Sequence, residues 1–110
     1  MTFDFTGKVA IVTGAGGGIG RAVSLALASA GANVLVVDLS LESGGETERL
    51  IREAGGTATF VAADVSKADD VARYVAAASD SWGRIDIFMN NAAWQGEILP
   101  LVDYPDALFD

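Results

Sequence analysis

The stretch Lys8-Val9-Ala10-Ile11-Val12-Thr13-Gly14-Ala15-Gly16-Gly17-Gly18-Ile19-Gly20 runs from a short, apolar and partly β-branched segment straight into a cluster of glycines. A run of this kind ending at glycine reads as a buried strand of a parallel sheet, so Lys8 to Thr13 is expected to be the first strand. Five of the seven residues from Gly14 to Gly20 are glycine. From Gly18 onward the pattern turns helical, with Ile19, Val23, Leu27 and Ala30 on one face and Gly31 as a left-handed C-terminal cap. A strand that passes through a tight turn into a helix leaves the first helical amides pointing outward, which makes a seat for a phosphate. Gly14 permits the tight turn, Gly18 lets backbone approach a phosphate, and Gly20 permits close packing of helix on strand. The competing reading is an ordinary glycine-rich loop, and the strand-turn-helix context weighs against it.

The same cycle repeats down the chain. Asn33 to Asp38 reads as a second buried strand. Ser40 can cap a following helix whose apolar face includes Leu50, Ile51 and Ala54, and Gly55-Gly56 stops it. Thr57 to Ala62 is a third strand, and Ser66-Lys67-Ala68-Asp69 has the form of a capping box. The helix after it carries an apolar stripe of Val71, Tyr74, Val75, Ala78 and Trp82 and ends at Gly83, before a fourth strand from Ile85 to Asn90. Asn91 to Pro105 reads as loop, and Pro105 to Asp110 as a first helical turn. Strict alternation of apolar strands and helices predicts an α/β, Rossmann-type, doubly wound parallel sheet, with strand order 3-2-1-4 and an incomplete C-terminal edge. Residues 1–110 are expected to form the cofactor half of one domain, and the open fourth strand reads as a sign of a truncated or divided protein.

Composition bounds the chemistry. The 110 residues contain 51% hydrophobic residues and no cysteine or histidine. Disulfides, thiol nucleophiles, zinc–thiolate sites and histidine bases are thereby excluded, and no metal ligand set is expected. A net charge of −8 disfavours a nucleic-acid backbone as partner. No apolar run is long enough for a membrane span, and Met1 to Phe5 lacks the form of a secretory signal, so the cytoplasm is the expected compartment.

Asp38 ends the second strand, 20 residues beyond Gly18, close to where a dinucleotide-binding turn requires an acid for the adenosine ribose. Its carboxylate would accept from both ribose hydroxyls and repel a 2'-phosphate. Ala15, Gly16, Gly17 and Leu39 supply no cation to receive one. The expected cofactor is therefore NAD rather than NADP. The competing role for Asp38, capping the next helix, is already filled by Ser40.

Thr13-Gly14-x-x-x-Gly18-Ile19-Gly20 resembles the turn of the short-chain dehydrogenase/reductase family. Asp64-Val65 after the third strand and Asn90-Asn91-Ala92-Ala93 after the fourth are similar to that family's adenine-pocket and Asn-Asn-Ala-Gly motifs. The resemblance spans essentially the whole chain. It implies that Asp64 accepts from the adenine amino group, that Val65 offers a backbone amide to the ring, and that Asn90 and Ala92 line the cofactor riboses. With Gly14, Gly18, Ile19, Gly20 and Asp38, these make the expected cofactor-binding set. Ala93 stands where the family has glycine, a change worth about 1 kcal/mol of strain if positive φ is needed there.

The resemblance also implies an NAD-dependent oxidoreductase that moves a hydride between nicotinamide and a secondary alcohol or ketone, acting as a homotetramer or dimer. Its catalytic Tyr-x-x-x-Lys and Ser lie further along the family's chain. The tyrosines here, Tyr74 and Tyr104, are followed four residues later by Ala78 and Leu108, so no catalytic residue is expected in these 110 residues, and a missing C-terminal half is the expected partner. Trp82 reads as core, Trp94 as a residue that can border a substrate pocket, Gln95 and Glu97 as a polar rim, and Asp86 as a paired strand carboxylate. The alternative is a non-catalytic dinucleotide-binding or regulatory module.

Overall fold

The computed structural model describes residues 4–91. Four strands alternate with three helices: β1 Val9–Thr13, α1 Gly18–Ser29, β2 Asn33–Asp38, α2 Leu41–Glu53, β3 Thr57–Ala62, α3 Ala68–Trp82 and β4 Ile87–Asn90. The sheet has the order β3-β2-β1-β4, with every neighbouring pair parallel. This is the expected Rossmann-type arrangement. The crossover from β3 to β4 carries the chain over β2 and β1, which places the chain reversal beside β1.

The side chains of β1 alternate between two cores. Val9 and Ile11 join Leu35, Val37, Val71, Tyr74 and Ala78 beneath α3. Val12 joins Val34, Val36, Ala28 and Ile51 beneath α1 and α2. Because both faces are covered, β1 is buried at every position, which explains its continuously apolar sequence.

Two helix faces differ in part from the expected ones: Val23 and Leu27 of α1 and Ile51 of α2 pack into the core as expected, but Ile19 and Ala54 do not. The buried residues of α1 are Gly20, Ser24 and Ala28, while Ile19 is 72% exposed. Those of α2 are Gly44, Thr47 and Ile51, while Ala54 is exposed beyond the last turn. In both, the most deeply buried positions are mostly small or hydroxylated residues, flanked by larger apolar ones such as Val23, Leu27 and Ile51. A Cβ on Gly20 would lie 2.0 Å from the Gly14 carbonyl oxygen, and one on Gly44 would lie 2.0 Å from the Phe60 ring. Close approach sets the centre of each face, and apolar side chains fill its margins. The stripe of α3 is as expected, with Val75 and Trp82 half-buried at its margin.

The helix ends follow the capping rules with one exception. Gly31 has φ 103° and Gly83 has φ 76°, as left-handed caps do. The Ser40 side chain accepts from the Ser43 amide at 3.1 Å. The box expected at Ser66 does not form: the N-cap of α3 is Lys67, because the Ser66 hydroxyl donates to Asp64 at 2.6 Å instead. β4 also begins two residues later than expected. Asp86 lies just before it, with its amide donating to the Val9 carbonyl at 2.9 Å.

Candidate functional site

The turn after β1 takes its shape from two glycines in the left-handed region, Gly14 at φ 64° and Gly18 at φ 54°. Between them, Gly17 is extended, with φ −170°. A Cβ on Gly17 or Gly18 would meet nothing within 4 Å, so this part of the turn borders open space. Helix α1 has no side-chain cap and no acidic residue in its first turn. Its first intrahelical bond runs from the Arg21 amide to the Gly17 carbonyl at 3.3 Å, which leaves the amides of Gly18, Ile19 and Gly20 ahead of it. No residue of α1 itself therefore compensates the positive end of the helix, and its geometry suits an anion.

Asp38, at the carboxyl end of β2, is held against this turn. Its Oδ2 accepts from the Gly16 amide and its Oδ1 from the Ser40 amide, each at 2.8 Å. A Cβ on Gly16 would lie 2.7 Å from both Asp38 Oδ2 and Ser43 Cβ. Gly16 thus does more than leave a position without a cation: its bare backbone lets the acid and the turn touch.

Arg21 was not among the expected site residues. Its Nε donates to Thr47 Oγ1 at 2.9 Å, and its Nη2 donates to the carbonyls of Gly16 at 2.6 Å and Ser43 at 3.2 Å. The buried Thr47 hydroxyl donates in turn to the Ala15 carbonyl at 2.7 Å. One guanidinium therefore ties the turn to α2 and satisfies carbonyls that a phosphate would repel. The signal available in the sequence was Thr47, a polar residue four before Ile51 on the buried side of α2.

At the end of β4, Asn90 Oδ1 accepts from the buried Thr13 hydroxyl at 3.1 Å. Asn91 Nδ2 donates to the Gly14 carbonyl at 3.4 Å. Beyond β3, Asp64 Oδ1 accepts from the Ser66 hydroxyl and from its amide at 2.9 Å. These bonds, the hydroxyl's first, hold the Asp64 carboxyl below its ordinary pKa, so it is an acceptor at neutral pH. Val65 packs against the α3 core. Gly14, Gly18, Ile19, Gly20, Asp38, Asp64, Val65 and Asn90 therefore lie at the carboxyl ends of four adjacent parallel strands, where open α/β sheets take ligands. Ala92 lies outside the described residues, as do Ala93, Trp94, Gln95, Glu97 and Tyr104.

Other candidates are structural. Tyr74 is fully buried, with its ring centroid 6.3 Å from that of Phe88, and burial raises its hydroxyl pKa. Asp86 accepts from Arg84 at 2.7 Å and from the Val9 amide at 2.9 Å. A cavity of about 320 Å³ between α1 and α2 is lined by Ala28, Ile51 and Gly56, at the end of the sheet opposite the glycine turn. Among the described residues, no group of three His, Cys, Asp or Glu could hold a metal ion, and no helix is long and apolar enough to cross a membrane.

An open parallel sheet with helices on both faces and a glycine turn after its first strand defines a Rossmann-type α/β protein. More narrowly, residues 8–108 match the short chain dehydrogenase family, and the chain belongs to it. It is similar to the short chain dehydrogenase/reductase astE of Aspergillus oryzae, at 43% identity over 102 residues covering 92% of this chain and 39% of the relative. A hydroxysteroid dehydrogenase from Escherichia coli superposes with a TM-score of 0.81 at 34% identity, over 94% of this chain and 43% of the other. A metagenomic short-chain oxidoreductase in complex with NADP superposes with a TM-score of 0.72 at 38% identity, over 76% of this chain and 38% of the other. The chain spans 35% to 42% of the length of the first curated relatives it matches. Its four-stranded sheet is accordingly incomplete beside theirs. The family is one of oxidoreductases that use nicotinamide cofactors.

Proposed function

We propose that this chain is the NAD-binding part of an oxidoreductase that moves a hydride between nicotinamide and a secondary alcohol or ketone. The observation that carries the choice of NAD is the Asp38 carboxylate, set 2.8 Å from the Gly16 amide at the rim of the turn. Ala15, Gly16, Gly17 and Leu39 bring no cation there, and the guanidinium of Arg21 is spent on two carbonyls and Thr47. A 2'-phosphate would meet like charge without compensation, whereas free ribose hydroxyls would find acceptors.

The residues of the turn fit such a cofactor. The amides of Gly18, Ile19 and Gly20 hold its pyrophosphate, and Gly17 and Gly18 leave room for it. Asp38 orients the adenosine ribose. Asp64 and Val65 bind the adenine edge, and Asn90 and Ala92 line the riboses. Thr13 keeps the Asn90 side chain turned toward β1. A bound nicotinamide supplies the hydride donor or acceptor. The residues that handle the hydroxyl proton follow the family pattern and fall outside these 110 residues, so this chain alone is inactive. The whole protein is read as a cytoplasmic dimer or tetramer.

The test is direct titration with NADH and NADPH. Binding of NADH at least about tenfold tighter is the expected result. Equal or tighter binding of NADPH overturns the choice of NAD. Sedimentation of the isolated chain separates this reading from a non-catalytic module, for which a stable 11.3 kDa monomer that binds NADH is the expected behaviour.

A further inference from the structure

We propose that Glu48, Arg52 and Arg73 lock the outer edge of β3 against strand addition by a second copy of this chain. Among the described residues β3 is an outer strand, paired with β2 along one side only. Its sequence, Thr57-Ala58-Thr59-Phe60-Val61-Ala62, is uncharged, free of proline and partly β-branched. Such a strand carries nothing of its own to discourage pairing, and an edge of this type is a template for association.

The protection comes from the helices. In a parallel ladder alternate residues turn their amide and carbonyl to the same side, so the outward groups of β3 belong to every second residue. Side chains reach three consecutive residues of that set. Arg52 donates through Nε and Nη2 to the Ala58 carbonyl at 3.1 and 3.0 Å. Glu48 accepts from the Phe60 amide at 2.8 Å, and Arg73 donates to the Ala62 carbonyl at 2.7 Å. Arg52 also pairs with Glu48 at 3.4 Å, and Arg73 with Asp70 at 3.6 Å.

An incoming strand must displace these charge-assisted bonds before it gains any ladder bond of its own. It must also accept the charged side chains against its backbone. Arg49 on the same helix shows what an ordinary surface pair does here: it binds Glu46 and Glu53.

The experiment compares the full chain with an edge variant, E48A/R52A/R73A, and with a control, E46A/R49A/K67A. Both variants lose one carboxylate and two cations. Association is read by sedimentation equilibrium, and β3 by amide hydrogen exchange. The edge variant is expected to self-associate about tenfold or more tightly than wild type and control, and its Ala58 and Phe60 amides to gain protection as concentration rises. Association no greater than the control's, or association without added protection at β3, overturns the proposal. If the triple variant does not fold, Glu48→Ala alone decides: Phe60 amide exchange about tenfold faster in dilute solution supports the lock, and unchanged exchange overturns it.

Discussion

The Gly16 amide donates to Asp38 Oδ2 across 2.8 Å, so the acid at the end of β2 is fastened to the turn at the end of β1. The bond has two consequences. It sets the carboxylate beside the uncapped start of α1, and it excludes any side chain at position 16, where a Cβ would lie 2.7 Å from the same oxygen. The carboxylate is thus oriented by its own chain before a cofactor arrives.

Removing the charge should change the choice of cofactor. If Asp38 takes the adenosine ribose as proposed, Asp38→Ala removes the ribose acceptors and the repulsion of a 2'-phosphate together. The ratio of NADPH to NADH affinity is expected to rise about tenfold or more, read by fluorescence titration of each nucleotide. An unchanged ratio would remove Asp38 from the specificity argument.

Two glycines of the turn should separate folding from binding. A Cβ at Gly20 would stand 2.0 Å from the Gly14 carbonyl oxygen, a backbone atom that cannot swing away. Gly20→Ala is expected to destabilise the fold by about 2–4 kcal/mol in urea unfolding. Gly17 is extended, and a Cβ there would meet nothing within 4 Å. Gly17→Ala should leave stability within about 0.5 kcal/mol and weaken NADH binding, because the methyl group enters the phosphate space.

Tyr74 carries a buried hydroxyl with no hydrogen-bond partner among the described residues. An unsatisfied buried hydroxyl opposes folding, so Tyr74→Phe is expected to raise unfolding stability by about 1 kcal/mol. Tyr74→Ala empties part of the α3 core and should cost about 3–5 kcal/mol. A loss of stability in the phenylalanine variant would show that the hydroxyl is satisfied in solution.

Asp86 gives the chain a defined acid response. The bond from Arg84, and then that from the Val9 amide, hold its carboxyl below the ordinary value of 3.8. The folded state therefore binds the proton more weakly than the unfolded state. The stabilisation is complete above the ordinary carboxylate value and is lost as pH falls through the lowered one. Asp86→Asn should be less stable than wild type near pH 7, and the difference should narrow as pH falls below the ordinary carboxylate value, as measured by urea unfolding at successive pH values.

Most of the fold was legible in the residues. β2 and β3 run from Asn33 to Asp38 and from Thr57 to Ala62, as their apolar runs indicate: β2 is buried from Val34 to Val37 and writes its limits directly in composition, while β3, half-buried at the sheet edge, is bounded by Gly56 before it. The helix faces were harder to read. Val23, Leu27 and Ile51 follow the apolar period, but Gly20, Ser24, Gly44 and Thr47, which are buried, carry no apolar bulk to mark them. Ser66 illustrates a second difficulty: its spacing suited a cap, but Asp64 two residues earlier competes for the hydroxyl at shorter range. Asp38 and the glycine spacing were visible from the start. The bonds of Arg21 to Gly16, Ser43 and Thr47 were not, since they join α1 to segments that only the folded chain brings together.

The register of β1 also carries a kinetic meaning. Its pairing with β2 closes through the short α1 crossover, whereas its pairing with β4 joins Ala10 to Ile87 and waits for α2, β3 and α3. The Thr13–Asn90 and Asn91–Gly14 bonds each span 77 positions. Loop-closure entropy disfavours early formation of such contacts, so the glycine turn is expected to form early and the Asn90 side of the crevice late in folding. A nucleotide held across both sides would then trap the last-formed contact. Its presence should slow unfolding more than it hastens folding.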